Sequence, residues 1–242
     1  MKKLLKAIIG ERLLLEYHRL VAFLAAVYYR FPSKRMVIIG VTGTKGKTTT
    51  SNLIWSVLQR NDIKTGIITT TNIRIGDEES MNHHHMSMPG RFKIQRYLRQ
   101  MVKAGCWVAV VETTSEGLKQ YRHTGIFYDI GVFTNLTPEH LQSHHNSFDE
   151  YRETKARMFA AIGRHPKKIR GAEIEKVILA NADSEFAEYY LSFGADAKKT
   201  FGIESRADLM ATDITSDETG VSFLSGGKGY HLSIPGEFNV IN

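Results

Sequence analysis

One stretch limits the folds open to this chain: Gly40-Val-Thr-Gly-Thr-Lys-Gly-Lys-Thr-Thr-Thr50. An apolar run, Met36-Val-Ile-Ile39, leads into it, and a helix-patterned segment, Ser51-Asn-Leu-Ile-Trp-Ser-Val-Leu58, follows it. Strand, glycine-rich turn and helix in that order form the setting of a phosphate-binding loop. Gly43 and Gly46 let the backbone curl with its N–H groups inward, and the helix N-terminus adds partial positive charge. Lys47 then reaches the β- and γ-phosphates of a nucleotide, and the Thr48 hydroxyl is placed to ligate Mg²⁺. An ordinary glycine turn would leave Lys47 and the threonine run unexplained. The spacing departs from the general nucleoside-triphosphatase loop, which needs glycine where Val41 stands.

Charge fits an anionic ligand. The chain has 242 residues, a formal charge of +7 and 42% hydrophobic residues, enough for one large domain or one domain with appendages. That charge suits a nucleotide, and equally nucleic acid or an anionic membrane surface. No basic stripe with interleaved aromatics appears, which argues against nucleic acid. Cys106 is the only cysteine, so no internal disulfide forms and a cytoplasmic setting is expected. Its neighbours Trp107 and Val108 make it a core residue rather than a nucleophile.

Residues 3–30 read as one long helix, with Leu4, Ile8, Leu15, Val21, Leu24 and Tyr28 at helical spacing and Lys2, Lys3, Lys6 and Arg12 at its start. The apolar run from Val21 to Tyr29 is shorter than the roughly 20 residues needed to span a bilayer. Glu11 and Arg12 interrupt any signal peptide. Two readings stay open for this leader of residues 1–35: a helix packed on the domain, or one lying on a membrane surface or against a membrane protein. Pro32 ends it.

From Met36 the pattern alternates. Strands are expected near 36–40, 65–70, 107–112, 128–133 and 176–180, and helices near 47–60, 90–104, 148–162 and 184–191. This predicts an α/β fold, a mostly parallel sheet with helices on both faces, in which ligands sit at the carboxyl ends of strands. After residue 205, short pieces at 209–214, 220–224 and 230–234 predict a small antiparallel sheet. His83, His84 and His85 lie in a polar stretch and read as a solvated loop.

Three more motifs fall at strand ends or on a helix. In Val110-Val-Glu-Thr-Thr-Ser-Glu-Gly-Leu118, Glu112 ends an apolar strand, where burial without a cation is costly. A Mg²⁺ shared with Thr48 is one partner; a helix N-terminus or a surface ion pair is the alternative. Lys119, Gln120 and Arg122 offer donors to an anionic substrate, or form an exposed face. In Phe133-Thr-Asn-Leu-Thr-Pro-Glu-His-Leu141, His140 is a candidate metal ligand beside the structural role common for a lone histidine. Tyr151, Lys155 and Phe159 share one helix face. A partly buried Lys155 has a lowered pKa and its neutral amine can take up CO₂, whereas spacing alone favours a lysine that reaches the surface.

These motifs, in this order, resemble the central ATP-binding domain of the Mur ligase family, and within it the branch that adds the third residue of the peptidoglycan stem peptide. The resemblance covers residues 36–242. It implies that Gly43, Thr44, Lys45, Gly46, Lys47, Thr48 and Thr49 hold ATP, and that Glu112 and His140 join Thr48 at Mg²⁺. Lys155 would be carbamylated and support a second Mg²⁺ or the acyl-phosphate. Thr114, Gln120 and Arg122 would contact the muramoyl-peptide substrate, with Ser87 and Met88 standing where the family has two threonines before a proline. The closing Pro235-Gly-Glu-Phe-Asn-Val-Ile-Asn242 resembles a family signature whose asparagines, here Asn239 and Asn242, lie by the adenine. The family usually has Ser-Ser-His-Gly-Leu at Thr114–Leu118 and Asp-His at Glu139-His140. Those departures bear on the acceptor more than on the nucleotide.

The resemblance implies an ADP-forming ligase of cell-wall precursor synthesis. Its partners would be a nucleotide-sugar peptide and an amino acid. Family enzymes also carry a domain for the UDP moiety and a C-terminal domain for the amino acid, so the expectation is an incomplete ligase that binds ATP and ligates little alone. The alternatives are another Mur-like ligase, of the cyanophycin synthetase or folylpolyglutamate synthase type, and a nucleotide-binding scaffold without turnover.

Overall fold

The structure, a computed structural model, describes residues 10–76, 78–82, 86–139 and 141–242. The expected helical start at residues 3–9, the loop histidines His83 to His85, and His140 lie outside the described residues.

Helix α1 (Glu11–Tyr28) opens the described chain. It ends where Arg30 and Phe31 take the left-handed conformation ahead of Pro32, which cannot continue a helix. A short 3₁₀ turn, Pro32–Arg35, leads to β1 (Val37–Thr42), α2 (Lys47–Arg60) and β2 (Thr65–Ile68). Strands β3 (Asn72–Ile75) and β4 (Glu78–Met81) precede α3 (Arg91–Lys103), β5 (Val108–Glu112), α4 (Ser115–Lys119) and β6 (Ile130–Phe133). A second 3₁₀ turn, Leu141–His144, introduces α5 (Phe148–Ile162). The hairpin β7 (Lys168–Ile169) and β8 (Ala172–Glu173) follows, then β9 (Val177–Asn181), α6 (Ala187–Leu191) and β10 (Ala197–Gly202). The chain closes with β11 (Leu209–Ser216), β12 (Val221–Ser225), β13 (Lys228–Leu232) and a 3₁₀ turn, Glu237–Asn239.

All strands but β7 and β8 join one sheet, in the order β13-β12-β11-β10-β9-β6-β1-β5-β2-β3-β4. From β11 to β2 every pairing is parallel, and antiparallel strands extend both edges. The chain runs from β1 outward to β2 and β5, then crosses to β6 on the other side of β1. That reversal opens a crevice above the carboxyl end of β1, where open α/β sheets bind ligands.

The central strands are apolar on both faces because both are covered. Ile38, Ala109 and Val111 pack with Ile94, Leu98 and Met101 of α3 and Met158 and Phe159 of α5. The alternate residues Ile39, Val41, Val108, Val110 and Val132 pack with Ile54, Trp55 and Leu58 of α2. Helix α5 starts at Ser147, whose hydroxyl accepts the amide of Glu150 (3.2 Å), with Asp149 and Glu150 favourably placed in the first turn. Helix α1 packs on α3 as an outer layer, with Ala22, Ala25 and Ala26 buried.

Asp129, fully buried just ahead of β6, anchors the amino ends of the strands. It accepts the Ile38 amide (2.8 Å), Lys176 Nζ (2.6 Å) and Lys167 Nζ (2.5 Å). Burial, more than Lys176, pulls the Lys167 pKa down to about 8 against the pull of Asp129.

The expected C-terminal antiparallel strands are present as β11, β12 and β13, and β11 joins them to the main sheet through pairs Phe201–Leu209 and Gly202–Met210. Lys155 is not a surface lysine but is 1% exposed, because α5 turns the face carrying Tyr151 and Phe159 toward β1. Strands β3, β4 and β10 had no apolar run to signal them; they are edge or outer strands whose side chains stay partly in water.

Candidate functional site

The loop after β1 is braced by the loop after β6. Asn135 accepts the amides of Thr44 (3.2 Å) and Lys45 (2.8 Å) through its side-chain oxygen, and the Thr134 hydroxyl donates to the Lys45 carbonyl (2.8 Å). These two loop amides are therefore spent on Asn135, not turned inward as the sequence suggested. The amides open to a ligand are those of the first turn of α2, which have no intrahelical acceptor. Gly46, the N-cap, has φ 79° and no side chain to cap them. A Cβ at Gly43 would collide with the Thr134 hydroxyl, and one at Gly46 with the Asn242 side chain. The loop is thus free to receive an anion at a helix start.

A cavity of about 730 Å³ opens above the loop, lined by Gly43 to Thr49, Thr70, Ser87, Glu112, Arg122, His144 and Lys155 among others. Lys47 Nζ donates to the Thr44 carbonyl (2.6 Å). Its pKa is lowered, by burial first, against the opposing pull of Glu112 and Glu139. The Thr44 hydroxyl shares a hydrogen bond with the Tyr151 hydroxyl (3.2 Å) and accepts the Thr137 amide (2.9 Å), which fixes the loop to α5.

Glu112 is 2% exposed. Its carboxylate accepts the hydroxyls of Thr48 (2.9 Å), Thr70 (2.9 Å) and Ser87 (2.8 Å) and the amide of Thr70 (3.0 Å). The hydroxyls of Thr70 and Ser87 also bond each other. No salt bridge to Glu112 occurs among the described residues, so the surface ion-pair alternative falls away. The carboxylate is compensated instead by neutral donors.

Lys155 Nζ donates to the Gly43 carbonyl (2.8 Å) and lies 4.5 Å from the centre of the Tyr151 ring. Burial, reinforced by Lys47, holds its pKa well below the ordinary lysine value. The amine is thereby biased toward its neutral form beside the loop.

Of the residues expected to contact substrate, Arg122 projects into the cavity. It is held by the Met88 carbonyl (2.5 Å) and the Gln120 side chain (2.8 Å). Gln120 in turn donates to Glu116 (2.7 Å), so it braces Arg122 rather than lining the cavity. Thr114 lines the cavity and caps α4, accepting the Gly117 amide (3.2 Å). The Met88 side chain is buried against Gly117. Ser87 is occupied with Glu112. Asn239 and Asn242 lie together at 3.4 Å. Asn239 borders a second cavity of about 630 Å³ that shares Thr48 and Thr49 with the first and is walled by Trp55, Arg74, Pro235 and Phe238.

Two residues escaped the sequence reading. Thr70 follows β2 in Thr69-Thr-Thr-Asn72, a polar cluster at a strand end. His144 is 1% exposed in the cavity wall, and neither ring nitrogen has a hydrogen bond within the described residues. Burial and Lys119 lower its pKa. No group of three or more histidine, cysteine, aspartate or glutamate residues that could hold a metal occurs among the described residues.

A sequence profile described as the Mur ligase middle domain matches residues 41–242. The chain is 34% identical, over 98% of its length, to UDP-N-acetylmuramoyl-L-alanyl-D-glutamate–2,6-diaminopimelate ligase of Geobacillus kaustophilus, covering 50% of that protein. It is 35% identical, over 90% of its length, to UDP-N-acetylmuramyl-tripeptide synthetase of a Roseiflexus species, covering 44% of it. Among solved structures, a UDP-N-acetylmuramoyl-L-alanyl-D-glutamate–2,6-diaminopimelate ligase superposes with TM-score 0.70 at 26% identity, over 86% of this chain and 41% of the other. The chain spans about half the length of the curated relatives it matches.

Proposed function

The chain belongs to the Mur ligase family, and from that premise we propose that it carries the ATP and Mg²⁺ site of an amide ligase acting on a UDP-muramoyl peptide. The supporting observation is that Lys47, Thr48, Glu112, Lys155 and Arg122 converge on one cavity at the carboxyl ends of β1 and β5.

The donors fit Mg²⁺. The Thr48 hydroxyl and Glu112 carboxylate already touch and are hard oxygen ligands, as this ion prefers. Thr48 and Glu112 would hold it, with His140 as the further ligand the family resemblance implies, and a carbamylated Lys155 would support a second Mg²⁺ or the acyl-phosphate. When bound, Mg²⁺ supplies charge neutralisation on the phosphates. The open amides of α2 bind phosphate oxygens, and Lys47 swings from the Thr44 carbonyl to the γ-phosphate. Arg122, fixed by Met88 and Gln120, orients the anionic peptide with its carboxylate toward that phosphate. The carboxylate oxygen bonds to the γ-phosphorus as the bond to ADP breaks, giving an acyl-phosphate. The amine of the incoming amino acid then bonds to the acyl carbon and gives up a proton as phosphate leaves. The aromatic and proline-lined cavity at Asn239 is the proposed adenine site.

Lys155 is set up for carbamylation. Its neutral amine can bond to CO₂ and release a proton, and the resulting anion would sit by Lys47. Protein equilibrated with ¹³C-bicarbonate is expected to show one carbamate carbon resonance that vanishes in Lys155→Ala. That variant is expected to lose activity by about a hundredfold, with partial return on adding a short carboxylate. A wild-type spectrum without the resonance contradicts carbamylation.

The function itself is tested by following ADP release from the protein as the cell makes it. ADP release that requires both a UDP-muramoyl peptide and an amino acid is expected. ATP hydrolysis indifferent to both contradicts the reading.

A further inference from the structure

Helix α1 presents two unlike faces. Its alanines, Ala22, Ala25 and Ala26, are buried, whereas Leu13, Tyr17, Leu20, Leu24 and Val27 are 45–61% exposed. Their spacing alternates between four and three residues, so they form one apolar stripe roughly 20 Å long at the helical rise per residue. A soluble monomer rarely leaves such a stripe open to water.

The stripe continues past the end of the helix into a cationic region. The Phe23 ring meets Phe31 (centroids 6.1 Å apart), Phe31 meets Phe127 (6.0 Å), and Phe127 meets His165 (5.5 Å). Lys34 Nζ lies over both Phe31 (5.1 Å) and Phe127 (4.7 Å). Phe127, Lys34, His165, Lys167 and Lys168 enclose a cavity of about 280 Å³. Lys34 and Lys168 also border a second hollow with Arg35 and Arg170. Among the described residues, no acidic side chain lines either hollow. Lys167 is committed to Asp129, and Lys168 meets the exposed Glu173 (3.0 Å), a surface pair of little strength. Arg170 stacks on the half-exposed Trp107 (3.6 Å).

We propose that this face docks on an anionic phospholipid membrane. Helix α1 lies in the plane of the interface with its leucine and tyrosine stripe at the acyl boundary, and Lys34, Arg35, Lys168 and Arg170 meet lipid phosphates. No helix among the described residues is long and apolar enough to cross a membrane, so the attachment is peripheral. A second copy of the chain is the poorer occupant. A two-fold contact through this face would set the cations of these hollows against each other, with no acid lining either hollow among the described residues to receive them. Lys34, Arg35, Trp107 and Phe127 precede β1, β5 and β6, so the cationic part of the face lies at the amino ends of the strands, while the start of α1 reaches Lys119 and His145 through Glu11. The inference stands on the α1 stripe and the adjoining cations and does not depend on the ligase reading.

Co-sedimentation of the whole chain with phosphatidylcholine vesicles, with and without phosphatidylglycerol, tests it. Binding to the anionic vesicles that weakens with salt is expected. Leu20→Glu with Leu24→Glu should abolish it, and Lys34→Ala with Arg170→Ala should weaken it by about tenfold or more. All four positions are outside the nucleotide cavity, so retained Mg–ATP binding certifies that the variants are folded. No binding to anionic vesicles, or binding unchanged in both variants, overturns the proposal. So does a dimer in sedimentation analysis that the glutamate pair breaks to monomer, which assigns the face to a second copy.

Discussion

Replacing Glu112 by alanine is expected to abolish the magnesium dependence of nucleotide binding and to cost the fold about 2–4 kcal/mol. The carboxylate is the common acceptor for Thr48, Thr70 and Ser87. Its loss strands the Thr48 hydroxyl and the Thr70 amide at the foot of the cavity, where water only partly replaces it, and leaves the Thr70 and Ser87 hydroxyls only each other. For a domain of this size the melting temperature should fall by roughly 5–15 °C. Glu112→Gln separates the two effects. It keeps the volume and one acceptor, so the stability loss should shrink to about 1 kcal/mol, while the anionic metal ligand is gone. Thermal denaturation and nucleotide titration with and without Mg²⁺ measure the two independently. Magnesium-dependent binding that survives in both variants contradicts a metal role for Glu112.

The second large effect lies at the other end of the sheet. Asp129→Ala removes the only acidic partner, among the described residues, of the buried amines of Lys167 and Lys176 and releases the Ile38 amide at the start of β1. Breaking a buried ion pair by deleting one partner costs about 3–5 kcal/mol, because a desolvated charge is left uncompensated. Lys167 already has a pKa near 8, so it can shed its proton and soften part of the loss. Urea denaturation should show the full drop in Asp129→Ala and substantial recovery when Lys167→Met and Lys176→Met are added. A loss below about 1 kcal/mol in the single variant would show that water reaches the cluster. Because β1 carries the phosphate loop, the variant also tests whether the loop depends on this anchor.

The phosphate loop was legible because its chemistry is local. Strand, Gly43, Gly46, Lys47 and Thr48 are adjacent in sequence, and the motif states its own fold. The parallel core was legible for the same reason: β1, β5 and β6 are short apolar runs bounded by polar turns. Glu112 could be located at a strand end, but not its partners, since Thr70 and Ser87 come from loops 42 and 25 residues away. The two-to-one lysine–aspartate cluster was invisible because Lys167 and Lys176 lie 38 and 47 residues from Asp129, with no local pattern that brings them together. Lys155 was misjudged from spacing for a related reason. Helical periodicity tells which residues share a face, and only the packing of α5 on β1 tells that this face is dry. His144 sits among polar neighbours in a 3₁₀ turn, where neither helical nor strand periodicity predicts burial.

The central claim is that the loop after β1 holds ATP with Mg²⁺ through Lys47 and Thr48. Calorimetric titration of Mg–ATP into this chain and into Lys47→Ala tests it most directly. Saturable one-site binding is predicted for the chain itself. In the variant it should weaken by between about tenfold and a hundredfold, the worth of hydrogen bonding to a charged group. Equal affinity in the two proteins, or no binding by either, would contradict the account.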